Sequence, residues 1–105
     1  MQAKRWPEET RFSDEKFQKV NLFDSERMFS DLYCFEPGQA QALHSHAGND
    51  KIYAVLEGRG TFTVGDESRE LDAGWVVLCP PGEDHGVVNT GTARLVVLVF
   101  MAPHP

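Results

Sequence analysis

From Phe17 onward the chain alternates short apolar runs with clusters of turn-forming residues. Phe17–Phe23 alternates loosely and Met28–Phe35 is rich in aromatics, so both are predicted strands. Ala42–His46, Lys51–Glu57, Thr61–Val64, Ser68–Leu71, Trp75–Cys79 and Gly86–Asn89 supply further short strands. Between them lie Asp24–Arg27, Glu36–Gln39, Ala47–Asn49, Gly58–Gly60, Pro80–Gly82 and Thr90–Thr92. In these, Pro presets φ and Gly accepts the left-handed region, and Gly65-Asp66-Glu67 is a hairpin signal. The last run, Arg94–Met101, reads Leu-Val-Val-Leu-Val-Phe-Met after its first residue and has no polar face. A strand of that kind is buried on both sides, so a sandwich, a partner subunit or both must cover it. No segment shows a helix of normal length with a 3.6-residue apolar period. Strands recurring about every eight to twelve residues predict an all-β sandwich or barrel.

The chain has 105 residues, which suits one domain with one core. Residues 1–16 are polar apart from Trp6, Pro7 and Phe12, and read as an N-terminal arm with a short turn of helix. Residues 17–102 are the barrel domain. The formal net charge is −6 and no basic stripe occurs, which argues against a nucleic-acid partner. No stretch approaches the ~18 consecutive apolar residues of a membrane-spanning helix, so no membrane partner is expected. Met1–Pro7 is basic but runs into Glu8-Glu9 without an apolar segment, unlike a secretory signal. With only Cys34 and Cys79 present, a reduced, cytoplasmic protein is expected.

The chemistry concentrates in histidines. His44-Ser45-His46 falls on a predicted strand, where residues i and i+2 share a face, and two imidazoles side by side suit a divalent metal at ~2.1 Å per nitrogen. His85 follows the Pro80-Pro81-Gly82 corner, which can turn a distant strand toward that pair. His104, in the Pro-flanked tail, is expected to be solvated.

Here the sequence resembles the cupin superfamily. Its first motif, G(X)5HXH(X)3–4E(X)6G, finds its glycines and histidines in Gly38, His44, His46 and Gly58. Its second, G(X)5PXG(X)2H(X)3N, is matched throughout by Gly74, Pro80, Gly82, His85 and Asn89. The resemblance spans about half the chain. It implies a single-domain jelly-roll β-barrel holding a divalent transition metal (Fe, Mn, Ni, Cu or Zn) on His44, His46 and His85, with open positions for a small-molecule ligand. Three-histidine variants occur among the dioxygenases of the superfamily.

One position departs from the motif. The spacing before Gly58 puts Lys51 where the family's glutamate ligand belongs, with Asp50 adjacent as a substitute ligand. An ammonium about 5 Å from a divalent ion is repelled by roughly 6–7 kcal/mol at an effective dielectric near 20. The simplest expectation is that Lys51 swings away to Asp50; otherwise it stays neutral as a candidate base, or the site holds no metal. Tyr53 shares the Lys51 face and is a second candidate catalytic residue, its hydroxyl expected near water. Phe29, Tyr33, Phe35, Cys34 and Cys79 are expected in the core, and Trp75 can close one end of the barrel. Glu83 and Asp84 are read as solvated, with one of them a possible acceptor for His85, and Asn89 as a partner for backbone groups. Three functions follow: a metal-dependent enzyme of the dioxygenase, isomerase or decarboxylase type; a non-catalytic small-ligand-binding module; or a metal-free structural barrel. A homodimer is expected from the doubly apolar last strand and the loose arm.

Overall fold

A computed structural model describes residues 1–105. One helical turn, α1 (Trp6–Glu9), precedes nine strands: β1 (Gln18–Asp24), β2 (Phe29–Phe35), β3 (Ala40–His44), β4 (Asp50–Glu57), β5 (Arg59–Val64), β6 (Glu67–Asp72), β7 (Val76–Cys79), β8 (His85–Val88) and β9 (Leu95–Ala102). They form a five-stranded sheet, β1-β2-β9-β4-β7, facing a four-stranded sheet, β3-β8-β5-β6, with every pairing antiparallel. This is the expected all-β jelly roll.

The nine expected strands are all present, with ends displaced by a residue or two. Three displacements have physical causes. The strand expected over Ala42–His46 runs instead over Ala40–His44, leaving His46 in the loop beyond it. Gly60, expected in a turn, lies inside β5, where a side chain would meet Leu95 Cδ2 and the Val88 carbonyl. Gly58 alone makes that turn, with φ +81. Trp75 lies just outside β7.

Burial follows strand parity. Tyr33, Phe35, Tyr53, Val55, Phe62, Cys79, Val87, Leu95, Val97 and Val99 fill the space between the sheets. The outer face of the five-stranded sheet carries a second cluster of Val20, Leu22, Leu32, Cys34 and Val96, onto which Trp6 and Phe12 of the arm fold. The arm is tied down by Lys4 Nζ donating to the Leu22 carbonyl (2.9 Å) and by Gln39 Nε2 donating to the Ser13 carbonyl (2.6 Å). The tail is fixed as well, contrary to the expectation for His104. Its ring nitrogen Nε2 lies 2.8 Å from Asp24 Oδ1, its ring stands edge-on to Phe29, and its N–H donates to the Arg27 carbonyl.

Candidate metal centre

β3 and β8 pair so that His44 is the cross-strand partner of His85. A register shift between Gln41 and His44 marks a bulge that bends β3 as it ends. The chain then carries His46 back over the pair. The Gly82 N–H donates to the His46 carbonyl at 2.8 Å, tying this loop to the Pro/Gly corner, where Gly82 takes φ +83. The ring centroids lie 4.4 Å apart for His44–His85, 4.9 Å for His44–His46 and 5.4 Å for His46–His85. One ligand nitrogen from each ring falls within 4.8 Å of the others. Two nitrogens on opposite sides of an ion at ~2.1 Å would be about 4.2 Å apart, so small inward rotations suffice.

The rings are prepared for that role. His44 Nδ1 sits 2.9 Å from the Ala42 carbonyl and His85 Nδ1 3.1 Å from the Glu83 carbonyl. A carbonyl only accepts, so in the neutral ring the proton resides on Nδ1 and the Nε2 lone pair is bare. Nε2 of His46 and of His85 are buried and have no hydrogen-bond partner. Burial pushes the His85 pKa down to about 4, with Lys51, His44 and His46 adding to the effect and the Glu83 carbonyl opposing it. His46 is lowered too, chiefly by desolvation and then by the charge of His44. Both rings are therefore neutral near pH 7, the form that ligates. The orphaned nitrogens, the set tautomers and the all-imidazole donors fit a divalent transition metal.

Lys51 does not swing to Asp50. Its position in β4 shares the inward face with Tyr53 and Val55, and it is buried, 1% exposed. Its Nζ lies 5.1 Å from the ring centroids of both Tyr33 and Tyr53, so two aromatic faces stand in for the expected carboxylate. Burial lowers its pKa from 10.5 to about 8, assisted by Lys19. Asp50 is exposed at the start of β4, opposite Ala102 and on the other face, outside the histidine group.

The Tyr53 hydroxyl is not near water. It donates to Gln41 Oε1 at 2.6 Å, and Gln41 Nε2 lies 3.2 Å from the Tyr33 hydroxyl. Desolvation raises both phenols, Tyr33 to about 12, so both stay neutral and neither is a base: Tyr53 donates to Gln41 and Tyr33 accepts from it. Gln41 lies before the strand expected over Ala42–His46 but inside β3, and the bulge hides from the sequence that it and His44 share the interior. Cys79 pairs across from Lys51, and burial pushes its thiol up to about 11, an inert form. The acceptor for His85 is the Glu83 carbonyl and not a carboxylate. Asn89 is buried and binds backbone: its Nδ2 donates to the Phe35 and Ala93 carbonyls, and its Oδ1 accepts from the Gly91 N–H. Trp75 does not close the barrel. It lies half exposed beside Arg69, in a cleft of about 480 Å³ between β6 and β7 that contains none of the histidines.

Three known proteins are similar to this chain. A protein of Thermus thermophilus of known crystal structure is 42% identical, superposes with a TM-score of 0.97, and the match covers 100% of both chains. A Thermotoga maritima protein described as oxalate-binding is 32% identical over 83 residues, 79% of this chain and 68% of its own length. A T. maritima crystal structure described as a predicted oxalate decarboxylase is 26% identical with a TM-score of 0.80, covering 84% of this chain and 81% of that one. Across the curated relatives, the matched stretch spans 53% to 68% of their length. The model of the cupin domain matches residues 31–101, which include both histidine blocks, and the chain belongs to the cupin domain family.

Proposed function

We propose that the chain is a metal-dependent cupin enzyme acting on a small carboxylate. His44, His46 and His85 would hold the divalent metal, with iron, manganese, nickel, copper and zinc all suited to imidazole ligands. When bound, the ion supplies Lewis acidity to an oxygen of the ligand. The carrying observation is the pairing of two bare, buried Nε2 atoms with a buried ammonium that has no carboxylate partner. Three imidazoles bring no negative charge, and the position of the family's glutamate is Lys51. An anionic ligand is what balances such an interior. Lys51 Nζ, held between the Tyr33 and Tyr53 rings, donates to a carboxylate oxygen, and Gln41 fixes both phenols. Lys19, exposed and with its Nζ 5.5 Å from the centroid of the same Tyr33 ring, draws anions inward in a chain of net charge −6. The description of the 32% identical relative as oxalate-binding supports this ligand class.

That same description favours a second reading, a binding module that holds the carboxylate unchanged. Elemental analysis of untagged protein should find stoichiometric metal, lost in His46→Ala and His85→Ala. Calorimetry on metal-loaded protein should then show Lys51→Met weakening oxalate binding by about tenfold to a hundredfold, the value of a hydrogen bond to a charged group. Metal-free protein after growth in metal-supplemented medium sinks the centre, and unchanged oxalate affinity in Lys51→Met sinks the role of Lys51. Quantitative recovery of carboxylates after long incubation, with no oxygen consumed and no carbon dioxide released, selects the binding module.

A further inference from the structure

The three histidines are not held alike. His44 closes β3 and His85 opens β8, so a strand ladder fixes the backbone of each. Each also sets a ring nitrogen against a carbonyl, of Ala42 and of Glu83. His46 has neither support. It lies in the loop between β3 and β4, and its buried Nε2 has no partner. Its place in the cluster therefore depends on what pins that loop. The Gly82 N–H holds the His46 carbonyl at 2.8 Å. The next two residues, Ala47 and Gly48, are exposed, and Gly48 has open space around it, so neither anchors the backbone. The second pin is Asn49, whose Nδ2 donates to the Pro103 carbonyl.

Pro103 lies beyond the last strand, and His104 is what steadies it. Three contacts tie His104 to the β1–β2 hairpin. Its N–H donates to the Arg27 carbonyl at 2.9 Å, its Nε2 lies 2.8 Å from Asp24 Oδ1, and its ring stands edge-on to Phe29 with centroids 5.4 Å apart. The turn that receives it is itself braced, because Ser25 Oγ accepts from the Arg27 and Met28 N–H groups at 3.2 Å each. A line of contacts thus runs from this turn through His104, Pro103 and Asn49 to the loop that carries His46.

We infer that this tail is a latch on the candidate metal centre, with Asn49 and His104 as positioning residues that hold His46 against the other two rings. The role rests on the three-histidine metal site proposed for the chain. Neither residue is among the three that could hold the metal; both act through the loop. Without the latch, Gly82 is the remaining pin named between β3 and β4, and the permissive backbone at Gly48 lets the His46 ring leave the cluster. Metal–ligand distances tolerate only about 0.2 Å, so a wandering loop costs affinity before it costs stability.

The test compares Asn49→Ala and His104→Ala with wild type, using protein labelled with nitrogen-15 in its histidines. In metal-free protein the imidazole signals of His46 should shift or broaden in both variants, while those of His85 stay in place and the circular dichroism is unchanged. Zinc affinity, measured by competition with a chelator, should fall by about tenfold, the lower end of what losing an outer partner of a ligand costs. His104→Gln keeps an amide donor for Asp24 and should retain the wild-type His46 signals. His46 signals that stay put in both alanine variants overturn the latch, as does a His85 shift as large as that of His46, which marks general loosening. If one alanine variant fails to fold, the other decides. Wild-type protein that takes up no zinc defeats the metal centre, and the signals of the metal-free protein still decide whether the tail positions His46.

Discussion

Nε2 of His85 has no partner, and its ring is set to stay neutral. In the unfolded chain the same imidazole titrates near its ordinary 6.5, above its folded value of about 4. As pH falls through that window the unfolded state takes up the proton first, so metal-free protein should lose stability from about pH 6.5 down to pH 4. The loss attributable to His85 is at most about 3 kcal/mol. Urea titrations of metal-free protein at pH 7 and pH 4.5 check it, and a His85→Gln variant should flatten the difference. Lys51 supplies a second residue-scale prediction. Placing the family's carboxylate at that position in Lys51→Glu removes a cation facing the site and adds a ligand, so metal affinity should rise by at least tenfold in competition with a chelator. Unchanged affinity would mean that position 51 does not act on the metal. The three histidines were legible because their spacing encodes a strand, a corner and a second strand. The surroundings of Lys51 were not, because Tyr33 reaches it from two strands away, and no local pattern reports which ring a lysine stem crosses.

At the scale of elements, the end of β3 and the corner leading into β8 decide where the site lies. The alternation argument that paired His44 with His46 assumed a strand continuing through both; the strand stops at His44, and a loop held by Gly82 returns His46 to the cluster. The motif therefore named three histidines that do lie together, in a geometry it did not describe. Bulges carry no residue-type signature strong enough to read from one sequence, which is also why Gln41 was missed. Glycines were more legible: those at 38, 58 and 82, in expected turns, all have positive φ, as does the motif glycine Gly74. Gly58 is the most constrained, since a Cβ there would run into the Arg94 carbonyl in addition to the left-handed backbone. Gly58→Ala should cost about 2–3 kcal/mol, seen as a lower urea midpoint with an unchanged slope. Gly38→Ala, with the same φ sign but open space around it, should cost less.

Over the whole molecule, the two faces of the five-stranded sheet do different work. The inner face, with the smaller sheet, encloses the histidines, Lys51 and the tyrosines; the outer face carries the apolar cluster beneath the arm and the exposed Val76, Leu78 and Phe100. The continuous hydrophobicity of Leu95–Met101 announced a need for cover on both faces in the sequence, but not its division between the chain's own arm and a bare half. The arm's contribution can be tested separately. Phe12 packs on the outer cluster and lies 4.1 Å beneath the Arg94 guanidinium, which in turn pairs with Glu36. Phe12→Ala should therefore remove half-buried apolar area and a cation–π contact together, lowering stability by about 2 kcal/mol. Because that contact lies on the far side of the sheet from the histidines, metal and carboxylate affinity should stay within about twofold of wild type, a change of under 0.5 kcal/mol. A Phe12→Ala protein that keeps its urea midpoint but loses metal would mean that the arm supports the centre rather than the core, and that the two faces are coupled through β2 and β9.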